Sequence, residues 1–112
     1  MAYDKDEPMY QLLANDKISE FNDARAAGKT VDLQEAHLRG ADLKTLNADG
    51  LDLQDAYFRN ADLRGIDFRN TNIEGASIIE AQISGCYFPH SLSAEEIRLS
   101  LEKGTRLRYS SE

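Results

Sequence analysis

From Val31 to His90 the chain repeats every five residues, and that period restricts the fold more than any other feature. Cut into fives, the stretch reads VDLQE AHLRG ADLKT LNADG LDLQD AYFRN ADLRG IDFRN TNIEG ASIIE AQISG CYFPH. An apolar residue sits at the centre of each five, as at Leu33, Leu38, Leu43, Leu53, Phe58, Leu63 and Phe68. Two residues earlier comes a small or aliphatic one, such as Val31, Ala36, Ala41, Ala56, Ala61 and Ile66. Nearly everything else is polar. A short fixed period implies stacked units, each burying its apolar side only against its neighbours.

The period is not helical, because a helix asks for apolar residues at i, i+3, i+4 and i+7. Two inward positions flank one outward position, which is strand alternation, and a corner follows. Gly40, Gly50, Gly65, Gly75 and Gly85 all take the last place of a five, where a corner tolerates positive φ. These residues strongly resemble the pentapeptide-repeat family, whose motif is Ala, then Asp or Asn, then Leu, then two variable residues. ADLRG at 61–65 and ADLKT at 41–45 stand close to that motif.

The resemblance implies an all-β solenoid: a right-handed quadrilateral β-helix with four fives per coil, hence about three coils. Sorting the fives modulo four supports the count. Leu33, Leu53 and Ile73 share a first face, Leu38, Phe58 and Ile78 a second, Leu43, Leu63 and Ile83 a third, and Ala48, Phe68 and Phe88 a fourth. The second and third faces carry only alanine at the small position, while the first and fourth carry larger residues. Such sorting is what close packing demands.

Three coils at about 4.8 Å spacing stand only about 15 Å tall and leave two open ends that need caps. The expected division is therefore an N-terminal helical cap at 1–30, the repeats at 31–90, and a C-terminal helical cap and tail at 91–112. Met9, Leu12, Leu13, Ile18, Phe21 and Ala24 have helical spacing, with Asn15 or Asp16 starting a second helix and Gly28 ending it. Ser93-Ala-Glu-Glu96 has capping-box form. It opens a helix with Ile97 and Leu101 on one face and Gly104 as its stop.

Chemistry-bearing residues are sparse. His37 and His90 fall on different faces and coils, so no dyad or shared metal site is expected. Cys86, the single cysteine, takes an inward small-residue position and reads as a packing residue. No phosphate loop, catalytic triad order or metal spacing appears. The expectation is no enzyme, no cofactor and no metal. Without a signal peptide, membrane span or lipidation motif, the expected location is cytoplasmic.

What remains is surface. The chain has 20 acidic and 13 basic residues, net −7, which disfavours direct nucleic-acid binding. The first face carries Asp32, Glu35, Asp52, Asp55 and Glu74 and no base. On one side of the molecule, its five carboxylates reach about half the linear charge density of a DNA duplex. Members of the resembled family that act on DNA gyrase resemble DNA in shape and charge, and phage inhibitors of restriction or CRISPR complexes work by a similar route. The expectation is an acidic DNA-mimic decoy whose partner is a basic DNA-binding enzyme or complex. The alternative is a plain protein-interaction module on the second face, where His37, Tyr57 and Ser77 form one outward column and Arg39, Arg59 and Ile79 the next. The tail around Leu107 and Tyr109 alternates like a strand, suited to pairing with an edge or with a second copy. The resemblance implies homodimers formed through the C-terminal end.

Overall fold

In the computed structural model, which describes residues 4–110, each five closes with the same kind of corner. The amide of the next small residue donates to the carbonyl of the preceding central one: Ala36 to Leu33 (3.1 Å), Ala56 to Leu53 (3.0 Å), Ala76 to Ile73 (3.1 Å). At most corners the fifth residue is left-handed, as a type II turn requires. Glycine supplies this at Gly65 and Gly75 (φ 80°), while Glu35, Asp55, Asn60 and Glu80 adopt it with φ of 59–63°. The second residue braces the corner. Asp32 Oδ1 accepts from the Gln34 amide, Asp42 from Lys44, Asp52 from Gln54, Asp62 from Arg64 and Asp67 from Arg69, at 3.0–3.2 Å. Asn47 and Asn72 do the same for Asp49 and Glu74. These are Asx turns, so the repeat asks for Asp or Asn at that position whatever the surface is for.

The circuit is twenty residues long. Leu38 N–H donates to Tyr57 C=O (2.9 Å) and Tyr57 N–H to Ala36 C=O (2.9 Å). Leu43 and Asp62, and Leu63 and Gln82, repeat the pattern one face on. Parallel bridges pair His37 with Tyr57, Tyr57 with Ser77, Asp42 with Asp62, and Asp62 with Gln82.

The expected all-β solenoid, a quadrilateral β-helix, is nevertheless corrected. Among the described residues there is no β-strand and no sheet, only isolated one-residue bridges. The regular elements are three short helices: α1 (Pro8–Ala14), α2 (Ile18–Ala26) and α3 (Ala94–Lys103). The physical reason is the corner. Each five spends its fourth and fifth residues turning, so the extended stretch between corners is too short for two consecutive bridges.

The central residues of the first two circuits point inward and are at most 2% exposed, Leu43, Leu53 and Leu63 at 0%. In the third, Ile73 and Ile78 are equally buried, whereas Ile83 and Phe88 are only partly covered.

The two ends are treated differently. At the start, α1 and α2 lie against the first circuit. Met9, Leu13, Ile18 and Phe21 join the same apolar cluster as Leu33 and Leu38, and polar tips reach the circuit's backbone. Tyr10 Oη donates to His37 C=O (2.6 Å), Asn22 Nδ2 to Thr45 C=O (2.9 Å), and Arg25 to the carbonyls of Asn47 (3.1 Å) and Asp49 (2.9 Å). Glu7, not a Ser or Thr, caps α1 through the amides of Met9 and Tyr10. The start expected at Asn15 or Asp16 for α2 is corrected to Lys17, which makes no side-chain cap; Asp16 is spent on a left-handed turn (φ 63°). Gly28 does end α2, with Lys29 N–H reaching Ala24 C=O (3.0 Å) and Gly28 N–H reaching Arg25 C=O (2.9 Å).

At the other end, α3 and the tail cover half of the third circuit. Ser100 Oγ accepts from Ile78 N–H (3.0 Å), and Leu101 C=O accepts from Glu80 N–H (3.0 Å). Leu107 exchanges hydrogen bonds with Gly75 (2.7 Å) and Ala76 (2.9 Å), and Tyr109 Oη accepts from Ile73 N–H (2.9 Å). Ser93 caps α3 through the Glu96 amide (3.1 Å). The reciprocal half of the expected capping box is absent, because the Glu96 carboxylate pairs with Arg108 instead. The molecule measures 36 × 28 × 26 Å.

Candidate functional site

On the first face the five carboxylates are not equivalent. Asp32 and Asp52 are turn braces, and Asp52 also accepts from Asn72 Nδ2 (3.1 Å). Glu35 and Asp55 occupy left-handed corners. Asp55 leans over Gly75, so closely that a Cβ there would overlap its carboxylate. It also faces Arg106 at 3.8 Å. The acidic column therefore ends against a cation from the tail. Asp32, Glu35, Asp52 and Glu74 have no ion pair among the described residues.

The third face neutralises itself, and on the fourth Arg69 offsets Asp67 while Asp49 accepts from Asn70 Nδ2 (2.9 Å). Lys44 joins Asp42 and Asp62 (both 3.1 Å), Arg64 joins Asp62 (2.8 Å), and Arg69 joins Asp67 (2.8 Å). The Arg64 guanidinium holds the Asp62 carboxyl far below the usual range, and Arg69 brings Asp67 down to about 2.

The second face is built differently. His37, Tyr57 and Ser77 do stack as one bridged column. Tyr57 is 37% exposed, one of few large apolar side chains so placed. The His37 ring meets it edge-on at 5.3 Å. Arg106 lies 5.0 Å over its ring and donates to its hydroxyl (2.8 Å). Two clefts of about 370 and 410 Å³ share Tyr57 and Arg59. One runs toward Ser77, Ile79, Lys103 and Arg106, the other toward His37 and Arg39. Ile79 is only partly exposed; a Cβ on Gly104 would come within 3.0 Å of its Cδ1, so it packs under the end of α3. Arg59 is 3.9 Å from Glu80.

Lys103 and Arg106 lie outside the repeats, so sorting the fives does not reach them. A second arginine–aromatic pair stands on the fourth face: Tyr87, 57% exposed, lies under Arg69 at 4.3 Å. Its signal was available, since Tyr87 is an outward residue one circuit after Asp67. Leu107 and Tyr109 are spent on the chain's own third circuit, where Leu107 is buried. His90 is exposed, on the fourth face and away from His37. Cys86 Sγ donates to Leu63 C=O (2.9 Å), and burial pushes its thiol pKa up, which makes it less nucleophilic at neutral pH.

The model for pentapeptide repeats matches residues 31–65 and 52–88, in eight copies, and so covers more than half the chain. The chain belongs to the pentapeptide-repeat family. No curated protein and no solved structure matches it. Membership supports a protein-interaction module, and the pentapeptide-repeat faces above are the surfaces available for one. No helix of the described residues is long and apolar enough to cross a membrane.

Proposed function

We propose that this chain is a non-enzymatic, cytoplasmic protein-binding module that meets its partner through the second face. The observation that carries the reading is Tyr57, an exposed aromatic held by Arg106 and His37 at the junction of two clefts. Aromatic and arginine side chains dominate binding energy at protein interfaces. Rings held in place by neighbours lose little entropy on docking.

The acidic decoy is the second reading, with gyrase or a CRISPR-type complex as the kind of target. It is favoured by the four first-face carboxylates without ion pairs. It is weakened by the turn duty of Asp32 and Asp52 and by Arg106 at the foot of the column. A homodimer through the C-terminal end would have to use Ile83 and Phe88, the half-covered part of that end, because Leu107 is already buried.

Two variants separate the readings. One combines Tyr57→Ala and Arg59→Ala. The other combines Asp32→Asn, Glu35→Gln, Asp52→Asn, Asp55→Asn and Glu74→Gln, in which the asparagines at 32 and 52 still brace their turns. Partners recovered by cross-linking to the parent chain should be lost by the first variant and kept by the second, with both melting as cooperatively as the parent. The reverse result would discard the second-face reading in favour of the decoy.

A further inference from the structure

The second-face groove is cationic on a molecule that is acidic as a whole. Arg39, Arg59, Lys103 and Arg106 line the two joined clefts around Tyr57, while the chain carries net −7. Arg39 and Lys103 have no ion pair among the described residues, and Arg59 and Arg106 stand at 3.9 and 3.8 Å from their carboxylates, too long for direct hydrogen bonds. The third and fourth faces show the contrast: there Lys44, Arg64 and Arg69 are engaged at 2.8–3.1 Å. Arg39, Arg59 and Lys103, left loose beside an apolar ring on a surface where other cations are neutralised, are free to take an external anion.

Resting on the second-face reading, we infer that the groove binds an acidic, extended peptide segment of the partner, with carboxylates on Arg39, Arg59 and Lys103 and an apolar side chain on Tyr57. Arg39 and Arg59 belong to successive circuits, about 4.8 Å apart at the backbone, and alternate side chains of an extended peptide fall about 7 Å apart. Flexible arginines span that difference. Arg106 holds the floor through Tyr57 Oη and Gly75 C=O (2.7 Å). A long nucleic acid fits less well than a short acidic segment. It would have to leave the groove past the carboxylates of the neighbouring first face, and like charges side by side disfavour such a partner.

The test uses the full chain and a fluorescein-labelled decapeptide of alternating Glu and Phe, followed by anisotropy. The Glu peptide should bind at least about tenfold more tightly than the same peptide with Gln for Glu. Its affinity should fall about tenfold or more between low salt and half-molar salt. Arg39→Glu with Lys103→Glu, at two positions free of ion pairs, should lose binding at least about tenfold while melting at the parent's temperature. Equal binding of the Glu and Gln peptides, or full affinity in the charge-reversed variant, would overturn the inference. So would tighter binding of a single-stranded oligonucleotide of equal charge. If the Glu and Gln peptides bind alike and Tyr57→Ala still abolishes capture of the cross-linked partner, the acidic-ligand inference fails and the second-face reading stands. If Tyr57→Ala has no effect on that capture, the second-face reading itself fails.

Discussion

Asp62 shows how one side chain serves the turn and the stack together. Its Oδ1 accepts from the Arg64 amide (3.2 Å), and its carboxylate gathers the Arg64 guanidinium and the Lys44 ammonium of the circuit before. Those bonds, Arg64's first, hold its pKa well below the ordinary 3.8. A carboxyl with a depressed folded pKa stabilises the fold above its unfolded pKa and loses that contribution as pH falls through the folded one. Asp62→Asn keeps an oxygen for the Arg64 amide and removes only the charge. The variant should be less stable than the parent at neutral pH. The gap should begin to close near pH 3.8 and continue closing toward the strongly acidic end. Urea melts at ~pH 7, ~pH 4 and ~pH 2.5 measure it, and a gap of constant size across that range would mean Asp62 acts only through turn shape.

At the scale of elements, α3 supplies acceptors in the place where a following circuit would have offered them. Its last carbonyls have no partner inside the helix, and Leu101 C=O uses that freedom to accept from Glu80 N–H. Ser100, fully buried, accepts from Ile78 N–H with its hydroxyl. Ser100→Ala leaves that amide buried without a partner and should cost about 1–3 kcal/mol. Leu99→Ala, one residue away on the exposed side, should stay within about 0.5 kcal/mol. Equal midpoints for the two in chemical denaturation would remove Ser100 from the cap. The start and stop of α3 were legible in Ser93 and Gly104, and its apolar face in Ile97 and Leu101. Ser100 was not, because a polar residue inside a helix carries no periodic signal and its partner lies 22 residues away. Tyr10, Asn22 and Arg25 escaped for the same reason. The expected strands failed differently: the alternation was real, but it lasts one bridge before each corner. The His37–Tyr57–Ser77 column followed from a twenty-residue circuit, whereas Arg106 reaches that column only through the fold of the tail.

For the whole molecule, the asymmetry of the ends decides where stability is lowest. The donors that each circuit offers to the next are met at Leu43, Leu63 and Gly65 by the following circuit, and at Ile73, Gly75, Ile78 and Glu80 by the tail and α3. Ile83, Gly85 and Phe88 come next on the same edge, and among the described residues their amides have no acceptor. Ile83 and Phe88 are correspondingly half-covered, as are Ala81 and Cys86. Stability should therefore fall from the middle circuit toward this corner of the stack. Leu63→Ala removes a side chain closed in on every side and should cost about 2–5 kcal/mol. Ile83→Ala, at the same place one circuit later, should cost well under half as much, since solvent already touches the site. Hydrogen exchange gives an independent reading, because amides that open locally exchange faster than those released only by global unfolding. The amides of Ile83, Gly85 and Phe88 should exchange fast, and those of Leu43, Leu63 and Gly65 near the global limit. Slow exchange at Ile83 and Phe88 that becomes fast on dilution would show that a second copy covers the open half. Slow exchange independent of concentration would mean the corner is closed within the chain, and the proposed gradient would be wrong.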